Sequence, residues 1–190
     1  MTRIKRKSIL SSKEKVLLHG GNILSFGIGM FGPLLALFTE RIGGSVLDVA
    51  WAWAIYLIVM GIFYIVVGNI SDKNVKKEKI MLSGYVLHTL FTFGYLLVRS
   101  PSHLFLIQAG LGIAYALLSP TWLALYAKYE NKQHAGFTWG LAGGEAMILT
   151  GIGVVIGGFI VTYLSFNILF ITMGTIQAIA ALYQSRILKT

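Results

Sequence analysis

Six long apolar runs separated by short polar gaps leave this chain of 190 residues few ways to fold. They cover 16–39, 47–70, 80–98, 104–126, 137–163 and 166–184. Crossing the hydrocarbon core of a bilayer takes about 20 apolar residues in a helix. Inside lipid every backbone N–H and C=O must be satisfied internally, which leaves helices or closed barrels. Runs of this length without period-2 alternation select helices. Composition agrees: 56% of the residues are hydrophobic and 12% charged, whereas soluble domains carry about 25% charge. The expectation is an all-α, polytopic membrane protein. A basic tail over 1–15 precedes a six-helix transmembrane domain over 16–186, and a short end follows over 187–190.

The net charge of +9 does not point to nucleic acid, because the basic residues lie in the gaps between apolar runs and build no groove. With the N-terminus in the cytoplasm and the spans alternating, only Arg41 and Arg99 of the 16 Lys and Arg fall outside. This asymmetry follows the positive-inside rule. It predicts a plasma membrane of the bacterial inner-membrane type, with both termini cytoplasmic. The first run is too long for a signal-peptide core and no A-x-A pattern follows it, so the first helix is read as retained. Cys is absent, which removes disulfides, thiolate metal sites and a Cys nucleophile. There is no H-E-x-x-H, no paired carboxylates on one face, no P-loop and no dinucleotide fingerprint. No catalytic residue, cofactor or metal is therefore expected.

Helical spacing sorts the polar residues inside the spans. In the fourth, Gln108, Gly112, Tyr115, Ser119, Trp122 and Tyr126 follow steps of four and three and share one face. In the first, Asn22, Ser25, Gly29, Gly32 and Ala36 form a second stripe, and Pro33 is expected to bend that helix. In the fifth, Gly136, Gly140, Gly144, Gly151 and Gly158 fall within an arc of about 80° at roughly 100° per residue, which reads as a close-packing seam. His88 shares a face with Tyr85, Thr92 and Tyr95 and is expected to be a hydrogen-bonded structural residue. Glu145 is the one acid expected inside the membrane, roughly 12 Å into the fifth span at about 1.5 Å per residue. Such a group must face a wet cavity, find a partner or take up a proton. It is the candidate for coupling solute movement to protons, with bonding to a neighbouring helix as the structural alternative.

The loop after the second span, Gly68-Asn69-Ile70-Ser71-Asp72-Lys73-Asn74-Val75-Lys76-Lys77, resembles the signature G-x-L-x-D-R-x-G-R-[RK] of the major facilitator superfamily. Gly68 and Asp72 match outright; Lys73, Lys76 and Lys77 are basic stand-ins, and Val75 stands where the family has Gly. Gln108-Ala109-Gly110-Leu111-Gly112 looks like the start of the family's fourth helix. Gly153-Val154-Val155-Ile156-Gly157-Gly158 resembles its fifth-helix pattern G-P-x-x-G-G without the Pro. The resemblance implies one six-helix half built from two inverted three-helix repeats. Its first and fourth helices would line a substrate cavity, with Asn22, Gln108, Tyr115, Ser119 and Trp122 as candidate lining residues. It implies a cytoplasmic gate in the loop of Gly68, Asp72, Lys73, Lys76 and Lys77, with Gly68 admitting a neighbouring helix and Asp72 meeting a helix end. Gly136, Gly140, Gly144, Gly153, Gly157 and Gly158 are the candidate packing positions.

The function implied is secondary transport, ion-coupled or by exchange, of a small solute by alternating access, as a homodimer or with a separately encoded half. A non-transporting membrane interaction protein, or a remnant of a twelve-helix transporter, is the alternative.

Overall fold

The computed structural model describes residues 10–73 and 75–189. Of the basic tail, Arg3, Lys5, Arg6 and Lys7 lie outside the described residues, as do Asn74 of the signature loop and Thr190. Among the described residues, seven α-helices make six spans. The first span is α1 (Ser12–Gly29) and α2 (Leu35–Arg41), divided by a 3₁₀ turn at Gly32–Leu34. Pro33, the bend expected in that span, sits in this turn. Then come α3 (Val46–Ser71), α4 (Lys77–Gly94), α5 (Pro101–Tyr129), α6 (Ala135–Tyr163) and α7 (Phe166–Gln184), one span each. No strand occurs among the described residues.

The first helix starts inside the stretch read as a tail. Ser11 caps it by accepting from the Glu14 N–H at 3.2 Å, while Glu14 accepts the Ser11 N–H at 2.7 Å. This reciprocal box satisfies two otherwise orphaned groups and sets the start of α1 at Ser12, not at residue 16. Glu14 is fully buried, and its other oxygen accepts the Asn131 N–H at 3.3 Å, which ties α1 to the connection before α6. Ser45 and Asp48 build a second such box on α3. At the far end, the 3₁₀ turn Ser185–Leu188 carries the last span past residue 184.

The main helix contacts run between the two expected repeats, not within them. α3 and α4 pack on α5, α1 packs on α6 and α7, and α4 packs on α7. Exchanging the first three spans for the last three maps α3–α5 onto α6–α1, α4–α5 onto α7–α1, and α4–α7 onto itself. That is the contact pattern of interlocked inverted repeats. Burial follows the same pairing. The apolar windows of α3 and α6 are 6% and 11% buried, against 39–50% in the other four spans. One core cluster holds interlocked rings, with Phe31 4.9 Å from Tyr95, Tyr95 stacked 4.8 Å from Phe170, and Phe38 5.0 Å from Phe170. The other surrounds Leu17, Met81, Tyr85, Leu125 and Tyr126 near the end of the bundle that holds both termini.

Candidate functional site

A cavity of about 280 Å³ opens between α1, α5 and α6 in the half of the bundle nearest the termini. Asn22, Tyr115, Ser119 and Trp122 all line it, together with Ser25. The three- and four-residue steps of α5 and α1 deliver these side chains to one space because both helices are uninterrupted through this depth, α5 continuing past Pro120. Gly21 leaves room for the Trp122 indole, whose ring would lie 3.4 Å from a Cβ placed there. The indole N–H donates to the Leu17 carbonyl at 3.0 Å, and the ring stacks 4.8 Å from Tyr126. Trp139 of α6 meets Tyr126 edge-on at 4.8 Å and donates its N–H to Glu130. Tyr126 is buried and donates to the Thr138 carbonyl at 2.8 Å. Trp122 and Trp139 line the cavity, and Tyr126 packs against both from outside it.

Glu145 is half-buried on α6, flanked by the lining residues Ala142 and Ala146. The Asn22 side-chain amide donates to its carboxylate at 2.5 Å. This contact links the first span to the fifth at the cavity wall. No Lys or Arg contributes to the lining.

Gln108 departs from the expected set. It lines a second cavity of about 100 Å³, with His88, Thr92, Gln177 and Tyr56. The reason is distance along the helix: Gln108 lies seven residues before Tyr115, roughly 10 Å at about 1.5 Å per residue. His88 is buried and its Nδ1 lies 3.0 Å from Gln177 Oε1, the hydrogen-bonded setting expected of it.

The signature loop is local in its contacts. Asp72 ends α3, is 81% exposed, and pairs with Lys77 at 2.9 Å; Lys77 also donates to the Ser71 carbonyl at 2.7 Å. Asp72 thus meets the side chain of the first residue of α4 and not the amides of another helix end. Lys73 and Lys76 are exposed. A Cβ at Gly68 would have nothing within 4 Å, so no helix of this chain approaches it closely, contrary to expectation.

The glycines of the fifth span divide in two. A Cβ at Gly153 would collide with the Phe26 carbonyl, one at Gly157 with that of Met30, and one at Gly29 with the Thr150 backbone, so these three glycines set the close approach of α6 to α1. Gly136, Gly140, Gly144, Gly151 and Gly158 face open space within this chain. The expected seam is a real face of α6, but α1 packs on a different one. Tyr85 and Trp139 line the Trp122 cavity, and Gln177 the Gln108 cavity, without having been anticipated. Gln177 could have been noticed as an isolated amide in the sixth apolar run; Trp139 and Tyr85 carried no such signal.

Comparison with known proteins agrees with this geometry. The family model described as Major Facilitator Superfamily matches residues 17–188. A protein named proton-coupled antiporter flippase LtaA from Staphylococcus saprophyticus is 24% identical over 157 residues, covering 81% of this chain and 39% of its own length. Its namesake from Staphylococcus epidermidis is 22% identical over 187 residues, covering 95% of this chain and 47% of its own length. An MFS-type transporter from Methanocaldococcus jannaschii is 23% identical over 156 residues, covering 82% and 40%. The chain thus spans about half the length of the curated relatives it matches. With six apolar helices, interlocked repeats and a match over nearly its whole length, this multi-pass membrane protein belongs to the major facilitator superfamily.

Proposed function

We propose that this chain forms one six-helix wall of a secondary transporter, in which a small solute occupies the Trp122 cavity and protons are the coupling ion. The observation that carries this reading is the Asn22–Glu145 hydrogen bond at the cavity wall. A charged carboxylate near the bilayer centre costs on the order of 2.5–3.5 kcal/mol, so Glu145 needs hydration, a partner or a proton. Asn22 is a neutral partner, and the adjoining cavity offers water and solute access. The names of the staphylococcal relatives, proton-coupled antiporter flippases, support protons in this role.

Alternating access requires rocking against a second six-helix unit, another copy of this chain or a separate polypeptide. The setting is a bacterial-type plasma membrane with both termini in the cytoplasm, supported by the placement of all basic residues but Arg41 and Arg99. Reporters active on one side of the membrane, fused after Thr190 and near Pro101, test this orientation. A reporter after Thr190 that is active outside overturns it.

The functional test uses everted vesicles bearing an imposed pH gradient. Solutes from a panel are added and dissipation of the gradient is followed. Glu145→Gln keeps size and hydrogen bonding while removing the titratable group. It is expected to abolish solute-driven dissipation while sparing passive exchange of the same solute. A wild-type response in that variant overturns the coupling role. No solute response in the wild type favours the alternative, a membrane interaction protein without transport.

A further inference from the structure

The Gln108 cavity lies on the other side of Ile28 from the Trp122 cavity, and Ile28 lines both. The rings of His88, which lines the former, and Tyr115, which lines the latter, have centroids 6.5 Å apart. The polar lining of the Gln108 cavity converges from four spans: Tyr56 on α3, His88 and Thr92 on α4, Gln108 on α5 and Gln177 on α7. No Asp, Glu, Lys or Arg lines it.

Gln177 is fully buried, and its side-chain oxygen is already saturated. Thr92 Oγ1 donates to it at 2.6 Å, and His88 Nδ1 lies 3.0 Å away. Its Nε2 is buried with no hydrogen-bond partner. Gln108 is 3% exposed, and its amide makes no hydrogen bond among the described residues. With Nδ1 donating to Gln177, the His88 Nε2 is an acceptor. Buried polar groups in proteins are almost always hydrogen-bonded, and lipid offers no bulk water to do it. The cavity, about 100 Å³ and mostly apolar in its walls apart from these converging groups, has room for roughly three waters at about 30 Å³ each.

We propose that the Gln108 cavity is a bound-water site at membrane depth, held by Gln177, Gln108 and His88, and that Ile28 with the His88–Tyr115 ring pair is the partition separating it from the Trp122 cavity. Water fits this lining because the site offers donors and an acceptor without net charge. An anion needs donors alone, and a cation needs carboxylates or a shell of carbonyls. The two cavities then form one hydrated track across the bundle, closed at Ile28. This inference stands on the lining of the cavities and holds whichever solute the Trp122 cavity takes.

Hydroxyl-radical labelling by X-ray radiolysis, read by mass spectrometry on the full chain in lipid nanodiscs, tests it. Radicals form from the water next to a side chain, so a buried residue beside bound water is modified while a dry one is not. Met173 lines the cavity at 3% exposure; Met81, at 0%, lines neither cavity. The expected result is modification of Met173 at least fivefold faster than Met81. Equal rates in the wild-type chain overturn the water site. Gln177→Leu is expected to bring Met173 down to the Met81 rate, and an undiminished Met173 rate overturns Gln177 as its holder. Mixing into H₂¹⁸O before the pulse reads exchange with bulk. Ile28→Ala is expected to speed ¹⁸O incorporation at Met173 severalfold, and an unchanged exchange rate overturns the partition.

Discussion

Asp72 illustrates how much one side chain's surroundings decide. Its pairing with Lys77 is exposed and local, so the pair is worth about 0.2–1 kcal/mol. Asp72→Asn is therefore expected to leave membrane insertion and thermal unfolding unchanged within that range. If the loop gates the proposed transporter, the same variant lowers flux severalfold, and unchanged flux returns the loop to a topology signal. Helical geometry by itself fixes which side chains share a direction. Asn22, Tyr115, Ser119 and Trp122 reach one cavity because steps of three and four residues keep a face constant. Depth is not fixed that way: Gln108 shares their face and still opens into another cavity. Trp139 was out of reach because α6 is apolar nearly all round, and only packing chooses which of its faces meets α1.

At the scale of the helix, the glycines of α6 separate packing from exposure. The contact of α1 with α6 depends on bare backbone at Gly153 and Gly157, opposite the carbonyls of Phe26 and Met30. The pseudo-symmetric contact of α5 with α3 has its own glycine, since a Cβ at Gly112 would stand 2.7 Å from the Tyr56 carbonyl. Gly157→Ala is expected to push α1 from α6 and destabilise the chain by about 1–3 kcal/mol, the usual cost of overpacking. Gly140→Ala meets nothing within the chain, so the unfolding of the isolated chain should stay within about 0.5 kcal/mol of the wild type. Thermal unfolding in one detergent compares the two; equal midpoints would show that the helices pack through other positions. Spans were legible because apolar runs of bilayer length have one solution in lipid. Their ends were not legible from apolarity alone: the S-x-x-E pattern of Ser11–Glu14 starts α1 at Ser12, four residues before the apolar run begins. Helix neighbours were not legible, because periodicity names a face and not its partner.

For the whole molecule, the question is what the least buried spans meet. α3 and α6 belong to opposite repeats, and their apolar windows are 6% and 11% buried. Lipid alone satisfies an apolar surface, so exposed Ile65 or Val155 demands no partner. Glycines are different: Gly136, Gly140, Gly144, Gly151 and Gly158 on α6, with Gly61 and Gly68 on α3, have open space where each Cβ would be. In membranes, small residues let helix backbones approach closely, and van der Waals packing replaces the hydrophobic effect as the driving force. The proposed second six-helix unit is expected to dock there and close the Trp122 cavity. The absence of Cys makes the test clean, because one introduced thiol is the only one. In native membranes, Gly140→Cys carrying a maleimide photocrosslinker, which needs no thiol on its neighbour, is expected to give an adduct whose mass identifies the partner: twice that of the chain for a homodimer, another value for a separate half. Leu182→Cys, on a side chain 73% exposed on α7, serves as the control and should remain uncrosslinked. If both thiols react equally with maleimide and neither crosslinks, the face of α6 meets lipid and the assembly reading is wrong. If they crosslink equally, contact is random collision and the outcome is the same.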